Sequence, residues 1–288
     1  DRVYELFTKS KGAFRTRIAY VVYRPGADHP YQLMTADYDC HNEKPILKST
    51  QPIMTPSWSP DGQSLAYVSF ERRTPCIYLQ NIVTRKRELL AAYPGLNSSP
   101  AWSPDGTRIA MTLSNVGKGG MGGTPNIYYF DLRTRQLHQV TANPAIDTEP
   151  TWSADGKALF FTSERGGRAQ IYKFDFETRQ TERVTYQGQV NLSARAIPDS
   201  NSMIVITGQN GYRVARLDAD GSIYMLTTSQ LDESPSVAPN GSMVIYSTVY
   251  QGRKGLALVS ADGRFKANLP SSEGEISAPA WGPLPMNY

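Results

Sequence analysis

Short apolar runs, each cut off by polar turn residues, recur along the whole chain. Stretches such as SLAYVSF (64–70) are read as alternating strands, with the period of a half-buried strand. CIYLQNI, NIYYFDL and QIYKFDF are rich in β-branched and aromatic residues, and no helical period appears between such runs. The pattern predicts an all-β protein.

The runs fall into a repeat. PSWSPDGQSLAYVS (56–69) returns as PAWSPDGTRIAMTL (100–113) and PTWSADGKALFFTS (150–163). Weaker copies are ARAIPDSNSMIVIT (194–207), PSVAPNGSMVIYST (235–248) and the partial PAWGPLP (279–285). Aligned on the Trp position, they stand at 58, 102, 152, 196, 237 and 281, with spacings of 44, 50, 44, 41 and 44. A period in the forties that holds several strands indicates a β-propeller. Each repeat parses into four strands: a short one ending at the Trp, the alternating run, an Ile/Tyr-rich run, and an outer strand such as RELLAAY. P-D-G joins the first two as a tight turn with Gly in the left-handed position.

The first repeat has only IAYVVYR (18–24), YQLMTAD (31–37) and KPILKST (44–50), and the last Trp copy has an opening strand with nothing after it. These halves complement each other. The expectation is six four-stranded antiparallel blades over residues 15–288, the first blade closed by the C-terminal strand so that no sheet edge stays open. Residues 1–14 read as a linker with a helix, Val3, Tyr4 and Phe7 on one face and Gly12 as its stop.

Composition narrows the function classes. The chain has 288 residues, is 40% hydrophobic and 19% charged, and carries a net charge of +4. It is a globular composition, too mildly basic to argue for nucleic acid. The longest apolar runs, such as MIVI (203–206), are too short to span a bilayer. The opening DRVYELF shows no signal peptide, which suggests a mature or trimmed chain rather than a cytoplasmic one. Cys40 and Cys76 are too few for a disulfide scaffold. They are expected on opposite faces, roughly 20 Å apart across a strand, whereas a disulfide needs Cα atoms within about 7 Å.

GKGGMGGT (117–124) spells G-x-G-x-x-G through Gly117, Gly119 and Gly122. A dinucleotide loop needs a helix after it, to hold the pyrophosphate. Here a strand, NIYYFDL, follows, so the segment reads as a long hairpin tip at the rim. No G-x-S-x-G elbow occurs. His29, His41 and His138 fall in hairpin loops or an outer strand, and DADG (218–221) and ADG (261–263) lack the final Glu of a calcium loop. No catalytic constellation is present.

Strand order assigns the loops to two faces. Those preceding first strands lie at the channel mouth and contain Asp147, Glu149, Asp232, Glu233, Glu273 and Glu275, against Lys48. The opposite face holds Arg85, Lys86, Arg87, Arg133, Arg135, Arg179 and Arg264. An acidic mouth would favour a cationic peptide segment or a metal ion, Ca²⁺ being a weakly supported candidate; no cofactor is required. Pro150 should hold Glu149 extended, with the side chains of Thr148 and Glu149 on opposite sides and Glu149 open to solvent.

KGAFRTRIAYVV (11–22), the P-x-W-S-P-D-G repeats, LDESPSVAPNGSMVIYS (231–247) and VSADGRFKANLP (259–270) closely resemble the TolB family, over essentially the whole chain. The resemblance implies a non-enzymatic periplasmic component of the Gram-negative Tol–Pal system, acting in outer-membrane integrity and constriction at cell division. It implies that the mouth binds Pal, the peptidoglycan-associated lipoprotein, and thereby attaches peripherally to the outer membrane. Family members also have an N-terminal α/β domain that contacts TolA; that domain is missing here, and a monomer is expected. Within T-E-P-T-W, Thr148 and Glu149 match the family's Pal-binding surface. Leu96 stands where members carry a histidine, beside Ser98 and Ser99. Met54, Thr55, Asp232, Glu233, Ser234 and Ser277 complete the candidate partner-binding set. The alternative is a propeller enzyme, or a peptide- or carbohydrate-binding propeller of another system. Such propellers usually line the channel with several carboxylates plus Arg or His, and Arg195 is the only basic candidate near a first strand.

Overall fold

The computed structural model describes residues 1–117, 123–270 and 274–285. Among these residues a helix, α1 (Arg2–Thr8), precedes twenty-four strands in six antiparallel four-stranded sheets. The first blade takes β1 (Arg17–Tyr23), β2 (Tyr31–Asp37) and β3 (Lys44–Ser49). The second runs β4 (Ile53–Trp58), β5 (Ser64–Ser69), β6 (Cys76–Asn81) and β7 (Arg87–Ala91), and the third β8 (Asn97–Trp102), β9 (Arg108–Leu113), β10 (Asn126–Asp131) and β11 (Gln136–Gln139). The fourth is β12 (Asp147–Trp152), β13 (Ala158–Ser163), β14 (Gln170–Asp175) and β15 (Thr181–Arg183). The fifth is β16 (Val190–Ala196), β17 (Met203–Gly208), β18 (Tyr212–Leu217) and β19 (Ile223–Met225). The sixth is β20 (Glu233–Val237), β21 (Met243–Tyr250), β22 (Arg253–Ser260) and β23 (Lys266–Asn268). The last strand, β24 (Glu275–Trp281), returns to pair with β1, giving the order β24-β1-β2-β3. The first blade is closed by the C-terminal strand as the repeat count requires.

The core lies between blades. Ile18, Tyr20 and Val22 of blade 1 pack with Ile245 and Leu256 of blade 6, and corresponding apolar clusters join every other neighbouring pair around the ring. This explains a departure from the sequence pattern. β5 was expected to alternate, yet it is buried without a break from Leu65 to Ser69, and β17 is buried throughout. Both faces of these strands meet a neighbouring blade, so neither is left for solvent.

The two P-D-G turns and the A-D-G turn of the fourth blade form as their chemistry dictates. Gly62, Gly106 and Gly156 are left-handed, with φ of 67°, 69° and 69°. Their N–H groups donate to the carbonyls of Ser59, Ser103 and Ser153 at 2.9, 2.9 and 3.0 Å. The Ser59, Ser103 and Ser153 hydroxyls donate to Asp61, Asp105 and Asp155. Cys40 and Cys76 are both free and buried; burial, with Glu43 and Asp39 nearby, pushes the Cys40 thiol up to about 12.

The helix ends earlier than expected. Lys9, at φ 61°, and not Gly12, takes the left-handed cap position, and its N–H bonds the Glu5 carbonyl. No residue of α1 is buried, and Val3, Leu6 and Phe7 are exposed. Tyr4 meets Phe14 edge-on at 5.5 Å between centroids.

Candidate functional site at the channel mouth

The six innermost strands, β4, β8, β12, β16, β20 and β24, line the channel. Each has one residue in the left-handed region: Thr55 (φ 45°), Ser99 (50°), Glu149 (54°), Ser193 (52°), Ser234 (52°) and Ala278 (50°). None is glycine, the residue that tolerates this region without strain. Each marks a register shift in the pairing with the adjacent strand. The innermost strands therefore carry a β-bulge at the same level in every blade, and bulges re-aim side chains. Pro150 does not hold Glu149 extended: the bulge overrides the local preference that proline imposes on its predecessor.

The bulge sorts the candidate residues into three groups. Those at the left-handed position, Thr55, Ser99, Glu149 and Ser234, line a cavity of about 230 Å³ at the ring axis, and Ser193 and Ala278 complete the ring. Those one position earlier are Met54, Ser98, Thr148, Glu233 and Ser277, and they are not among the cavity-lining residues. Met54 and Glu233 are exposed; Ser98, Thr148 and Ser277 are half-buried. Thr148 Oγ1 lies 3.4 Å from Thr112 Oγ1 of the neighbouring blade. Leu96 is half-buried just before β8, with its N–H bonded to Ser114 Oγ at 2.7 Å.

Two positions before the bulge, every blade has a buried residue: Ile53, Asn97, Asp147, Asn191, Asp232 and Ile276. Asp232, 1% exposed, belongs here and not to the rim. Its carboxylate accepts hydrogen bonds from Thr227 Oγ1, from Ser229 Oγ at 2.6 and 2.7 Å, and from Thr248 Oγ1 at 2.7 Å. Asp147, fully buried, takes Arg165 Nη2 at 2.8 Å. Asn97 and Asn191 tie down loops in the same way, to Tyr93 and to Gln170 and Gln187. These side chains latch neighbouring loops to the blade, the loop before the strand for Asn97, Asn191 and Asp232 and the β13–β14 loop for Asp147.

The expected acidic mouth is thereby corrected. Asp147 and Asp232 are internal, and Glu233 pairs with Lys254. Glu275 is exposed, while Glu273 falls outside the described residues, as does most of the glycine-rich tip between β9 and β10. Among the described residues no group of three His, Cys, Asp or Glu side chains could hold a metal ion, so the Ca²⁺ expectation gains no support. On the opposite face Arg87 is not a free surface charge. It donates to Tyr67 Oη at 2.6 Å, pairs with Glu71 at 2.7 Å and covers the Tyr78 ring.

Glu149 differs from the expected solvent-facing acid. Its Oε2 accepts from Thr162 Oγ1 and from Ser193 N–H, both at 3.0 Å, and Oε1 from Ser193 Oγ at 2.7 Å. The half-buried carboxylate thus joins blade 4 to blade 5. Arg195, two residues beyond Ser193, lines the same cavity. Burial draws its guanidinium below its ordinary range, and the Glu149 charge acts in the opposite sense. Ser193 and Arg195 were absent from the partner-binding set, although Arg195 was noted as the basic residue near a first strand. Counting back from the Trp position in the fifth repeat, where Ala196 stands, would have placed Ser193 on the channel wall as well.

A protein-family profile described as the TolB beta propeller domain matches residues 4–285. The chain is 52% identical to the Tol-Pal system protein TolB of Alcanivorax borkumensis, over 99% of this chain and 65% of the relative. It is 51% identical to the same protein of Histophilus somni, over 98% of this chain and 63% of the relative. The chain thus spans just under two thirds of the length of these relatives. The crystal structure of TolB from Acinetobacter baumannii superposes with a TM-score of 0.91 at 42% identity, covering 99% of this chain and 71% of that one. With the family profile matched from the first helix to the closing strand, and the fold reproduced blade for blade, the chain belongs to the TolB family as its six-bladed propeller.

Proposed function

We propose that the chain is the non-enzymatic propeller of a periplasmic Tol–Pal component and binds Pal at its mouth, through the ring around Thr148 and Glu149. The observation that carries this reading is the row of six bulged strands. They hold non-glycine residues in a strained conformation around one small polar cavity, and such strain concentrates at functional sites. Rigid presentation of a mouth surface suits a protein partner, because binding then costs little ordering. Residues 1–14 would join the propeller to a further domain that contacts TolA. The protein would act as a monomer, held at the outer membrane through Pal and serving envelope integrity and constriction.

The test is calorimetric titration with the periplasmic domain of the cognate Pal. Glu149→Lys is expected to weaken binding by several kcal/mol, because it reverses a central charge. Since Glu149 also joins two blades, Met54→Lys serves as a second variant on an exposed rim residue and should weaken binding without lowering the melting temperature. Arg133→Glu, on the far face, should bind as the wild type does. Unchanged affinity in both mouth variants would sink the assignment.

A further inference from the structure

Six-fold repetition makes a single exception informative. Two positions after the bulge, the innermost strands present Ser57, Ala101, Thr151, Arg195, Ser236 and Ala280 at one level. Each pairs with the same mid-strand position of its neighbour, as in Ser57 with Ala66, Thr151 with Phe160 and Arg195 with Ile204. Five are small and uncharged. Blade 5 alone puts a cation into the cavity.

That cation is poorly compensated. A guanidinium has five N–H donors, and among the described residues the Arg195 side chain makes one hydrogen bond, from Nη1 to the Ala194 carbonyl at 2.8 Å. Arg195 is half-buried, and a charge drawn partly out of water with no counter-ion in contact is costly. Glu149 is within electrostatic reach, yet its two oxygens are taken by the neutral donors of Thr162 and Ser193, and it forms no ion pair with Arg195. The same level offers further donors. Ser57 and Thr151 line the cavity with hydroxyls that bond no other group of the described protein, and Ser236 Oγ accepts the Trp281 N–H at 2.8 Å, leaving its own proton to donate. Around about 230 Å³ of space, a cation and three hydroxyl donors stand with one carboxylate, Glu149, whose oxygens are already bonded to Thr162 and Ser193.

We propose that this level of the channel is a binding site for a small monocarboxylate ion, paired with the Arg195 guanidinium and hydrogen-bonded by the hydroxyls of Ser57, Thr151 and Ser236. A planar carboxylate matches the two-pronged guanidinium. A single charge suits the site better than two, because Glu149 stands two positions before Arg195's level on the neighbouring blade and repels a dianion about twice as strongly as a monoanion. The cavity is large enough for an ion of acetate or propionate size, several times the volume of a water. The proposal is independent of Pal binding, since the ligand is a free ion and no partner protein enters the test.

The probe is sodium acetate, titrated at constant ionic strength into the isotopically labelled protein and followed by two-dimensional NMR. The Arg195 side-chain Nε–H and the backbone amides of Thr151, Arg195 and Ser236 are expected to shift saturably. Arg195→Gln should weaken the response about tenfold or more, the worth of one charge-assisted contact; Arg195→Lys should keep part of it. Ser57→Ala combined with Thr151→Val should weaken it several-fold while the spectrum elsewhere stays unchanged. Sulfate should bind less tightly than acetate. A wild-type spectrum unmoved by acetate, an identical response in Arg195→Gln, or sulfate binding as tightly as acetate would overturn the proposal. In the first case Arg195 would be a plug that only fills the channel.

Discussion

Asp147 and Glu149 stand two residues apart on one strand, carry the same charge, and live in different worlds. Asp147 is fully buried against Arg165 and latches a loop, whereas Glu149 lines the channel and reaches to the next blade. In a regular strand, residues two apart share a face. Here the left-handed residue at 149 turns the chain, so the latch and the channel group part company. The same division separates Asn97 from Ser99, Asn191 from Ser193 and Asp232 from Ser234. Acidic residues before a propeller strand are therefore not one class. Their distance from the bulge decides whether they hold a loop or line the channel.

The sharpest way to break this division is to remove a latch. Asp232→Ala leaves three hydroxyls without their acceptor in a buried site. It is expected to cost about 2–4 kcal/mol, lowering the melting temperature by roughly 5–10 °C. An unchanged melting curve by calorimetry would mean that Asp232 belongs to the rim after all.

The ring position should respond in the opposite direction. Ala278 pays for its φ of 50° with no side-chain contact in return among the described hydrogen bonds. Ala278→Gly relieves that strain and is expected to stabilise the protein by up to about 1 kcal/mol, the strain removed less the entropy that glycine adds to the unfolded chain. The matched change Ala194→Gly, one residue past the bulge and fully buried, should destabilise. If chemical denaturation finds both substitutions destabilising, the bulge is unstrained.

The smallest effect belongs to the far end of the same strands. Burial pushes the Asp105 carboxyl up, but hydrogen bonds from Ser103 and Thr107 and the charge of Arg108 outweigh it and hold it at about 2. The unfolded value is near 3.9, so the stabilisation is complete above that pH and is lost as pH falls towards 2. Wild type should therefore lose more melting temperature between pH 5 and pH 2 than Asp105→Asn, by a few degrees at most because the group is exposed. Equal slopes would show that this turn does not depend on the ionised carboxylate.

Much of the fold was legible because repeats are read by alignment, and alignment needs no knowledge of conformation. The Trp positions located all six innermost strands, and the missing strand of the first repeat located its partner at the C-terminus. The site was less legible for a local reason. Pro150 argues for an extended Glu149, and only the tertiary ring imposes the left-handed alternative. Charge alone made Asp147, Asp232 and Glu149 look alike. The alternation read in SLAYVSF failed because LAYV is a continuous apolar run, which suits a strand whose two faces both meet a neighbouring blade.

The pairing of β24 with β1 also makes the propeller a test of its own completeness. Until Trp281 is available, blade 1 presents the bare backbone of β1, and the cluster that joins blades 1 and 6 lacks Ile276 and Trp281. β1 and β24 lie at opposite ends of the propeller sequence, and contacts this far apart form slowly because a long loop must close. Folding is therefore coupled to delivery of the last strand. A chain that stalls or is clipped before it would keep an open sheet edge, the feature by which unfinished β proteins aggregate and are removed.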